Sequence, residues 1–234
     1  MLRHRGRART RQDCEAYVRD PTAYVTGRRK LTFDASIFGA AAVKEDLERL
    51  QHNKCCYCER RTSGRIDHFR PKGAVRQSRG SDRLRPGYYW LAYGWNNLVL
   101  ACEDCNLKKS DYFPLEDPGR RARSHLDSLD GEAPMLLNPY VERDPAQHLA
   151  FEGSACRPRT ERGRVTVAVL GLNRPSLQEE RQEVLSMLAH LSAVARHPEV
   201  PDTLRQEARE MMDGFARADA RYSAMVRDYL SGAD

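Results

Sequence analysis

At 234 residues, with 40% hydrophobic and 31% charged side chains, the chain can bury a core without disulfides and is too polar to live in a bilayer. Its mean hydropathy is −0.72, and no run of 18 apolar residues exists to span a membrane. The formal net charge of +6 and a pI near 9.0 point to a polyanionic partner rather than an acidic or membrane-embedded one.

The first twelve residues, MLRHRGRARTRQ, hold five arginines and almost nothing apolar, which predicts a disordered basic tail. With no apolar run behind those charges there is no secretory signal, and the expected address is cytoplasmic. Residues 1–36 are taken as this tail and an N-terminal segment. From Ile37 to Gln51 the spacing of Ile37, Ala41, Leu47 and Leu50 predicts one amphipathic helix. Residues 37–115 form the expected core, 116–175 a loop-rich extension punctuated by Pro118, Pro134, Pro139, Pro145 and Pro158, and 176–234 a helical region. In that last region Ser176 and Glu179 read as a capping box. Leu177, Val184, Leu188 and Leu191 follow at helical spacing up to Pro198, and a second helix opens after Pro201 to complete a hairpin.

The seven cysteines fall at 14, 55, 56, 58, 102, 105 and 156. Four of them make two Cys-x-x-Cys pairs, and in a reducing compartment that spacing reads as metal binding before it reads as disulfide. Each pair can grip one edge of a tetrahedron, so Cys55, Cys58, Cys102 and Cys105 are the expected ligands of a structural Zn²⁺. Cys56 is the alternative should the first pair begin one residue later, although Cys56-Tyr57-Cys58 has the wrong interval; Cys14 and Cys156 read as spare thiols. Forty-three residues separate the pairs, more than a zinc ribbon needs, so further structure is inserted between them. Between Lys54 and Lys109 twelve Lys/Arg face five Asp/Glu, which concentrates positive charge around the cysteines, as an approaching phosphate chain requires. The segments flanking Ser63-Gly64 predict a tight hairpin, and Asn106 to Asp111 the opening of a short helix that ends near Pro114. The aromatic run Tyr88, Tyr89, Trp90, Tyr93 and Trp95 reads as core rather than as a base-stacking platform.

In the order Cys-x-x-Cys, Asp67-His68, Asn97-Leu98, Cys-x-x-Cys and Asn106, residues 54–113 resemble the HNH endonucleases of the ββα-metal superfamily. The resemblance implies an α+β fold: a zinc-stapled ββα-metal core with an N-terminal helix and a C-terminal helical hairpin. It also implies site roles. His68 becomes the general base that takes a proton from the attacking water, and Asp67 with Asn106 becomes the oxygen ligand pair of one catalytic Mg²⁺ or Mn²⁺. Asn97 orients the loop carrying His68, and Arg70, Lys72, Lys108 and Lys109 become phosphate contacts. Many members of the family have histidine where this chain has Asn106, and the carboxamide favours the harder Mg²⁺. A wider set of segments, including LLNPY and VLGLNR, is similar to the HNH nucleases of prokaryotic antiphage operons of the Septu and retron-associated kinds, which implies a partner ATPase. The lead expectation is a DNA endonuclease. The same metal geometry also admits an RNA substrate such as tRNA, and a zinc-dependent nucleic-acid-binding module without catalysis is the reading from a different class.

Overall fold

In the computed structural model, which describes residues 2–142 and 144–232, thirteen helices and strands run in chain order. Helices α1 (Leu2–Arg19), α2 (Pro21–Val25), α3 (Ala35–Phe38) and α4 (Ala41–Leu50) come first. Next are β1 (Arg65–His68), β2 (Leu98–Ala101) and α5 (Glu103–Lys109), then a hairpin of β3 (Leu149–Glu152) and β4 (Ala155–Pro158). Helices α6 (Glu161–Leu170), α7 (Pro175–Arg196), α8 (Asp202–Ala216) and α9 (Ser223–Ser231) complete the chain. The chain is thus a mixture of helices with two small sheets, and no helix among the described residues is long and apolar enough to cross a membrane.

The arginine-rich start is helical, not disordered. Arg9 pairs with Asp13 at 3.3 Å one turn on, and the same arginine and Arg5 reach out to the Thr32 and Ser36 hydroxyls at 3.0 Å. Charge that cannot be buried is satisfied here on the helix surface, while Tyr17 packs its ring 5.2 Å from Tyr89. The single helix expected over 37–51 is two, α3 and α4, interrupted at Gly39-Ala40.

Strands β1 and β2 pair antiparallel, Asp67 opposite Val99 and His68 opposite Leu98. The hairpin expected across Gly64 is absent. Lys54 and Arg61 share one isolated bridge, and the partner of β1 lies beyond a long loop. Gly64 serves close approach instead, because a Cβ there would lie 2.1 Å from the Ala101 carbonyl oxygen of β2. Leu98 and Leu100 of β2 bury against Leu47 of α4. On the other side of the loop Phe69, Val75, Tyr88, Phe113 and Leu136 form a second cluster. Tyr88 and Tyr89 are core as expected, whereas Trp95 is 37% exposed.

The extension after residue 116 is less irregular than its prolines suggest. It ends in the β3–β4 hairpin, turned at Gly153, and in α6, where the Thr160 hydroxyl accepts from Gly163 N–H and Gly171 closes the helix at φ +58°. The capping box at Ser176 does not form. Arg174 is the N-cap of α7, Pro175 occupies the first turn and Ser176 lies inside the helix. Helices α7 and α8 do make the hairpin, with Leu177, Val184 and Leu188 fully buried. The second helix is split at residues 217–222, and Tyr222 adopts φ +57° before α9. Met225 is core, and Met211 is 56% exposed.

Candidate metal and catalytic centre

The two cysteine pairs flank the same end of the β1–β2 ribbon, the first ahead of β1 and the second just after β2, where Arg65 and Ala101 pair. The first is a tight turn in which Cys55 N–H bonds the Arg60 carbonyl at 2.9 Å and Glu59 N–H bonds the Cys55 carbonyl at 3.0 Å, with Glu59 at φ +60°. Cys56 N–H then bonds the Leu100 carbonyl at 3.0 Å, which locks this turn to β2. In the second pair, Cys102 is the N-cap of α5 and Cys105 lies in its first turn. The sulfurs of Cys55, Cys58, Cys102 and Cys105 all lie within 4.8 Å of one another and are buried, and Cys58 Sγ is 3.7 Å from Cys102 Sγ. A tetrahedral zinc with bonds of about 2.3 Å sets its sulfurs roughly 3.8 Å apart, so these four residues fit a metal ion. With four sulfurs sharing one site, Cys102 is held far below the usual thiol range, chiefly by the Cys105 S–H, while burial pushes Cys55 above it. Cys56 stands outside this cluster, and Cys14 and Cys156 are free thiols.

Asp67 and His68 end β1 and are buried. The ring of His68 packs edge-on against Phe38 at 4.8 Å. Its Nε2 lies 2.9 Å from the Ala92 carbonyl, an atom that can only accept, so Nε2 carries the proton and Nδ1 presents a lone pair. Burial, with Lys72 adding to it, pulls the His68 pKa down to about 3, so the ring is neutral at cellular pH. Lys72 Nζ donates to that Nδ1 at 3.2 Å and lies 4.8 Å from the centre of the Phe38 ring.

Asp67 is held from two sides. The Tyr57 hydroxyl, carried between the first two cysteines, donates to Oδ2 at 2.8 Å. Burial, then the Asp67 charge, keeps that phenol protonated. Lys109 Nζ is 3.0 Å from Oδ2 and 3.3 Å from Oδ1, and it donates to the His68 carbonyl at 2.7 Å. Lys109 is 0% exposed. The expected phosphate contact is thus an internal strut of the site, because residue 109 lies on the face of α5 turned to β1.

Asn97 reaches back across the long loop. It accepts from Arg70 N–H at 2.7 Å and donates to the Arg70 and Leu91 carbonyls at 3.0 and 3.2 Å, which pins the backbone just after His68. Arg70 itself bonds the buried Glu132 at 3.0 Å and stacks over Tyr88 and Phe113, so its guanidinium faces the core and not a phosphate. Lys108 lies across Gly171, where a Cβ would meet its Cδ at 2.7 Å.

Asp67, His68, Lys72 and Asn106 line one open cleft of about 280 Å³, together with Arg83, Arg85, Ser110 and Asp111. The Asn106 carboxamide is half-buried and makes no hydrogen bond among the described residues. Its oxygen and Asp67 Oδ1 are hard donors of the kind Mg²⁺ and Mn²⁺ accept, although the Lys109 ammonium competes for the same carboxylate. Arg83, Arg85 and Asp111 were hidden in the sequence. The two arginines belong to a basic loop with no periodicity, and Asp111 becomes part of the cleft only because Arg76 N–H bonds its carbonyl at 2.8 Å and folds that loop onto the end of α5.

The chain is 37% identical over 163 residues to the Septu protein PtuB of Bacillus mycoides (strain KBAB4), covering 66% of this chain and 54% of that protein. It is 30% identical over 171 residues to the Septu protein PtuA of the same organism, covering 70% of this chain and 24% of that protein. A Vibrio cholerae retron Vc95 protein with a provisional HNH endonuclease name is 24% identical over 165 residues, covering 66% of this chain and 69% of that protein. The chain spans about half the length of the PtuB relatives it matches. No protein-family model matches the chain. No solved structure matches it. By sequence, then, this chain is a relative of the Septu proteins and of a retron-associated protein of HNH type.

Proposed function

We propose that the chain is a metal-dependent HNH endonuclease that hydrolyses phosphodiester bonds in DNA, acting in antiphage defence beside a partner ATPase. The observation that carries this reading is the state of His68. It is buried, neutral, fixed as the Nε2–H tautomer by the Ala92 carbonyl, and turns Nδ1 toward a basic cleft shared with Asp67 and Asn106. That is the arrangement of a general base, which needs an unprotonated nitrogen within reach of a water molecule. Lys72 covers Nδ1 in the free protein. An incoming phosphate offers that ammonium a stronger partner and so frees the lone pair to take a proton. Asn97 keeps the backbone behind His68 in place during this exchange.

Asp67 and Asn106 would hold the catalytic Mg²⁺ or Mn²⁺, and Mg²⁺ retains several waters, so two protein oxygens suffice. Such an ion, when bound, stabilises negative charge growing on the phosphate oxygens. Cys55, Cys58, Cys102 and Cys105 would hold Zn²⁺ as the structural clamp between the ribbon and α5. Lys72, Arg83 and Arg85 line the cleft as candidate contacts for the phosphate chain. The names of the Septu and retron relatives support the defence setting, and the HNH name supports the nuclease. The DNA and ATPase assignments rest on the resemblance of residues 54–113 and its flanking segments to HNH nucleases of defence operons.

The test offers supercoiled plasmid and labelled tRNA to the purified protein with Mg²⁺ or Mn²⁺, beside His68→Ala. Plasmid nicking that falls by about a hundredfold or more in the variant is expected. Equal nicking by both proteins refutes the role of His68. Cleavage of tRNA alone moves the substrate to RNA, and binding without cleavage of either leaves a zinc-dependent binding module.

A further inference from the structure

We infer that Arg174 is the outer-sphere counter-charge of the four-cysteine site, a guanidinium fork that hydrogen-bonds three of the sulfurs and sets how tightly zinc is held. This rests on the zinc reading of the cluster and not on the nuclease reading. The Arg174 fork places one terminal nitrogen 3.7 Å from Cys105 Sγ. The other lies 3.8 Å from Cys102 Sγ and 4.0 Å from Cys58 Sγ. Four thiolates on Zn²⁺ leave a formal charge of about −2, and a buried charge is costly unless it is paired and hydrogen-bonded.

Other cations nearby are committed elsewhere. Arg60 is held by Asp104 at 2.8 Å and by Glu180 at 2.7 Å. Arg181 lies over the Phe151 and Tyr222 rings, and its terminal nitrogen serves the Leu172 and Ser154 carbonyls. Among the described residues, Arg174 supplies the cationic hydrogen bonds that reach these sulfurs.

The chain fixes Arg174 from both sides. Gly171 ends α6 in the left-handed conformation, Leu172 N–H bonds back to the Val167 carbonyl at 3.0 Å, and Asn173 clamps both backbone groups of Cys156 at 2.7 and 2.9 Å. Pro175 then starts α7. The side chain bonds the Gly171 carbonyl at 3.3 Å, and its Nε faces Asp104, between the second pair of cysteines, at 3.4 Å. Asp104 also grips Arg60, just after the first pair, so one carboxylate orients the fork relative to both. The VLGLNR segment thereby becomes part of a metal site whose nearest ligand in sequence lies 69 residues away.

Residues around a metal's ligands typically change its affinity by about 10- to 100-fold when removed. The test uses the full chain, zinc competition against a chromogenic chelator, and the near-ultraviolet sulfur-to-metal charge-transfer band of the Co²⁺-substituted protein. In Arg174→Gln, zinc affinity is expected to fall by about 10- to 100-fold. The Co²⁺ band should also move to longer wavelength, because sulfurs stripped of N–H donors are more electron-rich. Arg174→Lys, which keeps the charge but not the fork, should fall between. Unchanged affinity and an unshifted band in Arg174→Gln overturn the inference while leaving the zinc site intact. If that variant does not fold, Arg174→Lys decides, and values equal to the unaltered protein overturn it. An unaltered chain that takes up neither Zn²⁺ nor Co²⁺ overturns the inference together with the zinc reading, and a cleavage assay reports separately on His68.

Discussion

Replacing Lys109 with methionine strands a buried carboxylate, and the size of the penalty follows from its surroundings. Lys109 is fully buried, sits 3.0 Å from Asp67 and donates to the His68 carbonyl at 2.7 Å. Methionine fills similar volume but supplies neither charge nor donor, so Asp67 keeps only the Tyr57 hydroxyl among its side-chain partners. Removing one partner of a buried ion pair costs about 3–5 kcal/mol, because the remaining charge has lost its compensation. For a chain of this size that corresponds to a fall in Tm of roughly 6–20 °C. It is also a large share of the 5–15 kcal/mol typical of whole domains. Urea unfolding with linear extrapolation, in buffer free of added divalent cations, measures it. A second arm adds Asp67→Asn. Because the stranded carboxylate is the source of the cost, the double variant should regain most of the loss, giving strong coupling in the double-mutant cycle. A loss below about 1 kcal/mol in Lys109→Met, or additive effects of the two changes, would refute the strut.

Other consequences are as concrete. Gly64→Ala places a methyl 2.1 Å from the Ala101 carbonyl oxygen, so β1 and β2 must part; a loss of about 3 kcal/mol or more, read by thermal melting, is expected, and a variant as stable as the parent contradicts the close approach. Tyr57→Phe removes the 2.8 Å bond to Asp67 and should cost about 1 kcal/mol. It should also lower kcat more than it raises KM in a cleavage assay, since it disturbs placement and not binding; a pure KM effect argues otherwise. For His68, the folded pKa of about 3 lies below the ~6.5 of an unfolded chain, so the native state excludes a proton that the unfolded state binds. Its contribution to stability is complete above pH ~6.5 and is lost as pH falls toward 3, by up to about 1.4 kcal/mol per pH unit. Stability curves from pH 7 to 4 should therefore be flatter in His68→Asn than in the parent, and parallel curves would contradict the buried neutral ring.

What could be read from the sequence was whatever is fixed by short spacing. The Cys-x-x-Cys turns and the adjacent Asp67-His68 are local, and the four sulfurs meet where spacing placed them; the helix expected to open at Asn106 begins earlier, at Glu103 behind the Cys102 N-cap, and ends at Lys109. Contacts decided by distant segments were not legible. Gly64 reads as a turn residue, yet its role depends on Ala101 lying across from it. The arginines of α1 look unburiable until Asp13 and the Thr32 and Ser36 hydroxyls are placed around them. Lys108 and Lys109 are neighbours of equal charge, and only the 100° step of the helix decides that one meets Asp67 and the other lies across Gly171. Arg174 gives no signal of its own, since nothing near residue 174 suggests a cysteine. The Ser176 capping box was a false start, because Pro175 one residue earlier already opens α7.

The proposed chemistry needs two metals in two chemically distinct places, and crystals grown with zinc and soaked in Mn²⁺ can show both by anomalous scattering. A zinc-edge peak among Cys55, Cys58, Cys102 and Cys105, with a separate manganese peak between Asp67 and Asn106, is the expected result. Manganese absent from that cleft in protein that still cleaves nucleic acid, or zinc found away from the four sulfurs, would contradict it.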